Sequence, residues 1–523
     1  MTIITFSTAR KRPWKLAGVF LSISFSTHNQ QFFWRSFSAT ALSASIRSDT
    51  CRRIGVIGGG ASGIFAAISA AESAAIAESS GKGHSSKIEV VVLEATSNTL
   101  QKVKISGGGR CNVLHDTSKS VPTILSGYPR GQRELNGLYN KRFTPTMAQE
   151  WFEHRGVELK VERDGRMFPV TDSSQTIINA LMKSAEQAGV EIRLKQKVVH
   201  VEKAETSGFK VYYKDETNEF FDRIILATGS SPVGYTLAKS LGHDPLVTPI
   251  PSLFTLNCKH AVSPGGILHG LSGVSVPSAT LTLKVPLEPQ DSGNSNSPQN
   301  ETNANPTSKR KRKASNKIFD QNGPLLITHH GISGPATLRL SAFGAREFRD
   351  MNYRGSLTIN WDVPSLSENI EELFEDLWSC TTSIPKRNVA SVCPIPGNSI
   401  PRRLWSALVL ASGFETNTEW KDAPKKSVRH LASNLVAFPL EFTGKGTFKD
   451  EFVTAGGISL KEIDMKTMES NKCPGLHLCG EVINVDGITG GYNFMNCWST
   501  GYVAGEACGC FESKKTDGSL TNG

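Results

Sequence analysis

From residue 51 onward, apolar and polar positions fall into blocks whose spacing identifies the elements. RIGVI at 53–57 is apolar and too short for a helix, and it runs into three glycines, which predicts a buried strand entering a turn. ASGIFAAISAAESAAIAES at 61–79 is alanine-rich and predicts the helix that follows. After a polar loop at 79–87, IEVVVLE at 88–94 has the β-branched composition of a strand buried on both faces, as parallel strands are. Strand, glycine turn, helix and strand make a βαβ unit with a long crossover.

Further on, QTIINALMKSAEQAG at 175–189 carries apolar residues at helical spacing and stops at Gly189. VEIRL, KVVHVEK, FKVYY and RIILATG then read as short strands, so 53–247 predicts a doubly wound sheet with a β excursion. From about residue 248 the texture changes to strands punctuated by Pro and Gly, among them LFTLNC, ATLTLKV and GSLTINWDV. A polar low-complexity run at 286–317 has little to bury and predicts a disordered loop. Residues 365–438 have a helical pattern, and glycine-rich strand signals resume at TAGGISL and LHLCGEVINVDGITGGYNF. The expected fold is α/β: a split Rossmann-like nucleotide domain, 53–247 with 447–512, interrupted by an insert at 248–446 and followed by a tail at 513–523.

The formal net charge of +10 changes little once its distribution is seen. Residues 1–53 hold eight Lys/Arg against Asp49 alone, and KRKRK at 309–313 holds five more, which leaves the remaining chain near −2. A basic nucleic-acid face is therefore not expected. Residues 1–52, basic and rich in Ser and Thr, read as an organelle transit peptide, mitochondrial or plastid. The competing secretory reading rests on the apolar run at 16–25, but basic and hydroxylated residues continue long past it. No apolar run approaches the roughly 20 residues of a membrane-spanning helix. Ten cysteines in 523 residues make no disulfide framework, and without a CxxC they make no zinc site.

The chemistry lies in the glycine-rich stretches. Gly58, Gly60 and Gly63 satisfy G-x-G-x-x-G: the first for a tight turn, the second for close approach of a pyrophosphate, the third for helix–strand packing. Ala61 and Ser62 open the helix whose N-terminus would face the phosphates. Glu94 ends the second strand, where a carboxylate accepts the ribose hydroxyls of FAD or NAD and disfavours the 2′-phosphate of NADP. In KVKISGGGRCNV at 102–113, Lys102, Ser106, Gly107, Gly108, Arg110 and Asn112 are candidates for contacts to a diphosphate or flavin. Cys111 sits among them by position, but with no partner at CxxxxC spacing it reads as a packed loop residue. Ala227, Thr228 and Gly229 end another strand at small residues suited to ligand approach. Late in the chain, Gly480, Glu481 and Asp486 are placed for ribityl and phosphate contacts. Gly490 and Gly491 can bring N–H groups to the flavin edge that becomes negative on reduction. Such a remote closing segment favours FAD over NAD.

GGGASG, KISGGGRCN, GRMFPV, THHGISGPATLRLS, TAGGISLKEID and GEVINVDGITGGYNF, in this order, resemble the BaiN-like, or aminoacetone-oxidase-like, FAD-dependent oxidoreductases. The resemblance spans residues 53 to about 512. It implies an insert made of a β-barrel and a helical subdomain. It also implies FAD contacts from the glycine-motif residues above together with Tyr492 and Asn493, and from Val198, which matches a valine that meets adenine in many flavoproteins.

With no second dinucleotide motif, a tightly held NAD(P)H domain is not expected; the resemblance implies that NADH or NADPH docks transiently, as electron donor to a reductase of a small organic substrate. Oxidation of an amine by oxygen, flavin-dependent modification of tRNA, and flavin binding without catalysis remain open at this level. His329 and His330 face substrate or form a hinge of the insert, and no catalytic acid or base is assigned. Oligomeric state is not legible.

Overall fold

The computed structural model describes residues 51–79, 87–286, 316–361, 369–391, 393–395, 400–446 and 453–510. The leader to residue 50, the core of the polar loop near Ser79, KRKRK and the tail lie outside these residues. Cys51 and Arg52, read as the end of the leader, belong to the first strand, paired with Lys87 and Ile88. The hairpin around the low-complexity run is also longer than composition implied, since its ladder reaches the Pro286–Asn316 pair.

A seven-stranded sheet organises the nucleotide half. Its order is Ile463–Asp464, Glu469–Ser470, Leu476–Leu478, Arg223–Leu226, Cys51–Ile57, Lys87–Leu93 and Glu191–Arg193. The last five strands are parallel, and the first two form an antiparallel edge. VEIRL thus joins the main sheet, whereas Val198–Lys203, Phe209–Tyr213 and Asn218–Phe221 form a separate antiparallel sheet. Ile54, Val56 and Val90 to Leu93 are buried, as parallel strands covered on both faces require.

The opening helix, Ala61–Ser79, packs against the closing helix, Tyr492–Gly509. Gly501, Gly505 and Gly509 recur every four residues and so lie on one face. A Cβ on each would stand 2.8, 2.2 and 2.3 Å from the carbonyl oxygens of Ser62, Ala66 and Ala70. The backbones approach this closely because the closing helix has no side chain at these three positions. Ser69 Oγ adds a hydrogen bond of 2.8 Å to Tyr502 O.

The chain leaves this half through Val247–Pro251 and returns through Thr454–Gly457, and these two strands pair antiparallel. Between them lies a second seven-stranded sheet, all of its pairs antiparallel. Its terminal strands, Phe438–Phe442 and Gly444–Lys445, are separated only by Thr443, whose N–H donates to Asn257 O. Helices Ile370–Ser383, Arg402–Ala411 and Lys425–Val436 share one core with this sheet, including Leu281, Ile359, Trp405, Trp420 and Leu431. Helix Pro335–Phe343 spans both cores: Ala336 and Leu340 pack into the insert, and Ala342 into the nucleotide half. No helix among the described residues is long and apolar enough to cross a membrane.

Two stability predictions follow from this packing. Gly505→Val forces a side chain into the Ala66 carbonyl and is expected to cost about 1–3 kcal/mol or more in urea unfolding; an unchanged midpoint would show that the helices can separate without loss. His477, buried in its strand, holds Thr467 O at 2.9 Å through Nδ1 while Nε2 has no partner, and burial pushes its pKa down to about 4. The unfolded imidazole binds its proton near pH 6.5, so stability is full above that pH and falls as pH drops from about 6.5 towards 4. In Tm-versus-pH profiles, His477→Gln should flatten that slope.

Candidate functional site

The three motif glycines meet three different surroundings. Gly58 has φ +111°, and a Cβ there would lie 2.5 Å from Ala227 O; one on Gly63 would lie 1.9 Å from Gly58 O. A Cβ on Gly60 meets no protein atom within 4 Å. Turn and packing therefore demand Gly58 and Gly63, and Gly60 leaves open space at the N-terminus of the opening helix, beside Ala61 and buried Ser62. Glu94 is tied into the turn. One carboxylate oxygen accepts from Gly59 N at 2.8 Å, and the other accepts from Thr96 N and Oγ1, each at 2.8 Å. Of about four lone-pair sites on a carboxylate, three are in use. That leaves less capacity for a ribose than the two-bond grip read from sequence.

KISGGGRCN begins as helix and then breaks: Ser106 is extended, and Gly107, Gly108 and Gly109 all take positive φ. A Cβ on Gly108 or Gly109 meets nothing within 4 Å, so this backbone also faces open space. Ser106 Oγ is turned back onto Val103 O. Lys102 Nζ pairs with Glu481 Oε2 at 2.6 Å and reaches Ser230 Oγ at 3.3 Å. Glu481 Oε1 accepts from Thr454 N, and Gly229 lies beside the same carboxylate. Lys102, Gly229 and Glu481, far apart in sequence, are thus one cluster.

Arg110 departs from its expected role. Its Nη1 pairs with Glu162 at 2.8 Å and with Asp172 at 3.2 Å, and the guanidinium lies 3.8 Å over the Phe168 ring, so one arm of its fork is already held by carboxylates. Asp486 departs further. It is fully buried, bound by Arg130 through Nε and Nη2 and by Ser252 Oγ at 2.6 Å, and so is not a free ligand for ribityl or phosphate. Arg130 Nη2 also donates to Ala342 O at 2.7 Å, which ties helix Pro335–Phe343, the joint between the two cores, to the 486–493 turn. Cys111 is wholly buried, with its thiol pushed up to about 12 by burial, which suits a packed residue and not a nucleophile.

Asn112 donates to Leu114 O at 3.1 Å and accepts from Gly491 N at 3.0 Å, joining the glycine loop to the closing helix. Gly490 and Gly491 have positive φ, and a Cβ on Gly491 would press on Leu114 O at 2.1 Å. Asn493 closes the turn through Gly487 N and O, each at 2.9 Å. Gly480 has φ +76° and donates its N–H to Thr500 Oγ1. Val198 is buried two residues beyond Gln196, whose N–H binds Glu94 O, and so stands at the Glu94 end of the site. His329 and His330 are exposed in the turn between two insert strands.

The sequence reading missed His115. Its Nδ1 lies 3.0 Å from Gly490 O and its Nε2 3.3 Å from Lys119 Nζ, and its ring stacks on Tyr492 at 4.5 Å. Burial foremost lowers its pKa, so the neutral ring donates to Gly490 and accepts from Lys119. Its place three residues past Asn112 was the only signal, and no spacing rule uses it.

These features fit a dinucleotide. Two glycine stretches leave room along exposed N–H groups at a helix N-terminus, and next to Ala227 the buried Thr228 Oγ1 has no partner. Gly60→Val tests the fit. The added Cβ meets no protein atom within 4 Å, so the variant should fold with a near-normal Tm yet purify colourless; a yellow variant with full flavin content would displace the cofactor from this turn.

The family described as HI0933-like protein Rossmann domain matches residues 52–507. A 3-dehydro-bile acid delta(4,6)-reductase of Clostridium scindens is 27% identical over 467 residues, 87% of this chain and 98% of its own length. A ribosomal RNA dihydrouridine synthase of Escherichia coli is 27% identical over 465 residues, 86% and 96% of the two chains. A solved 3-ketosteroid-delta4-(5alpha)-dehydrogenase of Rhodococcus jostii RHA1 covers 90% of this chain and 99% of its own at 13% identity, with a TM-score of 0.39, too distant to carry an argument. With a nucleotide cradle built from both ends of the chain and a family match across both, this protein belongs to the HI0933-like Rossmann family and is an FAD-dependent oxidoreductase.

Proposed function

We propose that the protein reduces a carbon–carbon double bond conjugated to a carbonyl, with NADH or NADPH as the transient electron donor. The observation that carries this reading is that two relatives of different name, each matched over nearly its whole length, share one bond type. A delta(4,6) bond of a 3-oxo steroid and the C5=C6 bond of uridine are both conjugated to a carbonyl. FAD, when bound, supplies hydride transfer. The chain's own residues position and polarise. Gly60, Gly108 and Gly109 leave backbone open to the diphosphate, the closing helix directs its N-terminus at the Gly490–Gly491 turn, and neutral His115 holds that turn by Gly490 O.

In the same reading the insert is a cap: its antiparallel sheet closes into a β-barrel through the strands on either side of Thr443, with the three helices as a subdomain on it. Residues 1–50, ahead of the first strand, are an organelle address. A base within RNA is the second reading, favoured by the ribosomal RNA relative and opposed by the near-neutral charge outside the leader and KRKRK. RNA binding that weakens steeply with salt would support it.

The test is anaerobic addition of NADH and then NADPH to the FAD-loaded protein, followed by an α,β-unsaturated ketone. Either nucleotide should bleach the flavin spectrum and the ketone should restore it. If neither nucleotide bleaches it, the reading fails and amine donors come first.

A further inference from the structure

We propose that Arg339 of the insert and Tyr492 of the nucleotide half together hold the substrate's carbonyl oxygen and the negative charge it gains as the adjacent double bond is reduced. This rests on the reading above and adds the substrate's anchor to it.

Arg339 lies on helix Pro335–Phe343, whose position is set by two contacts. Arg130 holds Ala342 O at 2.7 Å, and Ser341 Oγ accepts from Phe254 N at 3.0 Å. The loop that supplies Arg130 also carries Tyr492: a Cβ on Gly127 would stand 2.4 Å from the Tyr492 ring, and Tyr128 Oη donates to Tyr492 O at 2.6 Å. Residues 127–130 thus link Tyr492 to the helix of Arg339, one turn before Ala342.

Arg339 makes no ion pair among the described residues. One nitrogen, Nη1, donates to Asn322 O at 3.3 Å, while Nε is buried with no partner. A buried donor without an acceptor is costly, and a guanidinium left so has a missing partner to explain. Tyr492 is complementary. Its ring is fixed between Gly127 and the His115 imidazole, and its hydroxyl makes no hydrogen bond among the described residues. Burial pushes the phenol up to about 12 against the pull of the Arg339 charge, so it stays a donor at neutral pH. His115 is excluded as the donor because both ring nitrogens are committed, to Gly490 O and Lys119 Nζ. A fixed cation and a fixed phenol beside the N-terminus of an 18-residue helix suit an oxygen that turns from carbonyl to enolate.

A phenolate is a stable mimic of that enolate, so the probe is 4-chlorophenol, titrated into the oxidised, FAD-loaded protein and read by the change in flavin spectrum. Wild type should bind it. Arg339→Gln should weaken binding by about 10- to 100-fold with FAD content unchanged, and Tyr492→Phe, compared at matched FAD content, by a smaller factor. Arg339→Lys, which keeps charge but loses the fork, should fall between and serves if the glutamine variant does not hold FAD. Absence of binding by wild type, or equal binding by all variants, overturns the proposal. Ketone reduction at an equal rate by wild type and Arg339→Gln would remove the site and leave the proposed function standing. Tight phenolate binding lost in Arg339→Gln, with no ketone ever reduced, would keep the oxyanion site and remove the function.

Discussion

The contact between the opening and closing helices is the constraint on which the rest depends. Side chains normally hold helix axes 8–10 Å apart, and here three glycines facing Ser62, Ala66 and Ala70 remove that spacing. The consequence reaches beyond stability. The closing helix begins at Tyr492, so seating it backbone to backbone on the opening helix fixes where the Gly490–Gly491 turn stands relative to the Gly58–Gly63 turn. Two segments more than 400 residues apart in sequence then form one cradle.

The second constraint is electrostatic. Asp486 has no access to water, and a buried carboxylate survives only with its hydrogen bonds satisfied. Arg130 and Ser252 satisfy it, and Arg130 extends the same network to Ala342 in the insert. Removing one partner of such a pair typically costs about 3–5 kcal/mol, because the other charge stays buried. The network therefore couples the turn at 486–493 to the joint helix, and Arg339 is carried on that helix. Nucleotide site and insert are held in register by a charge pair and not by apolar contact alone.

These two constraints divide the labour of the site. The cradle of the nucleotide half offers open backbone at Gly60, Gly108 and Gly109, which suits a ligand that brings its own chemistry. The insert contributes a guanidinium that makes no ion pair among the described residues, which suits the selection and polarisation of a substrate. Two relatives with very different substrates can share such a frame if both substrates present a carbonyl next to the bond that changes.

Local signals carried the βαβ unit, the helical stretches of the insert and the glycine turns, because period, β-branching and the steric freedom of glycine act within a few residues. Those signals located Gly58, Gly60 and Gly63 and pointed to Lys102 and Glu481, though not to the pairing between them. They took Asp486 as free and gave no partner to Arg110, since a charged residue near a motif looks free until its partners are known, and Glu162, Asp172, Arg130 and Ser252 lie between 52 and 356 residues away. They missed His115 and Arg339 for the same reason. The sequence by itself determined the elements, the glycine turns and the class of cofactor. Only the tertiary structure decided which charges are spent on one another and which remain for a ligand, because that depends on burial and on distances between remote segments.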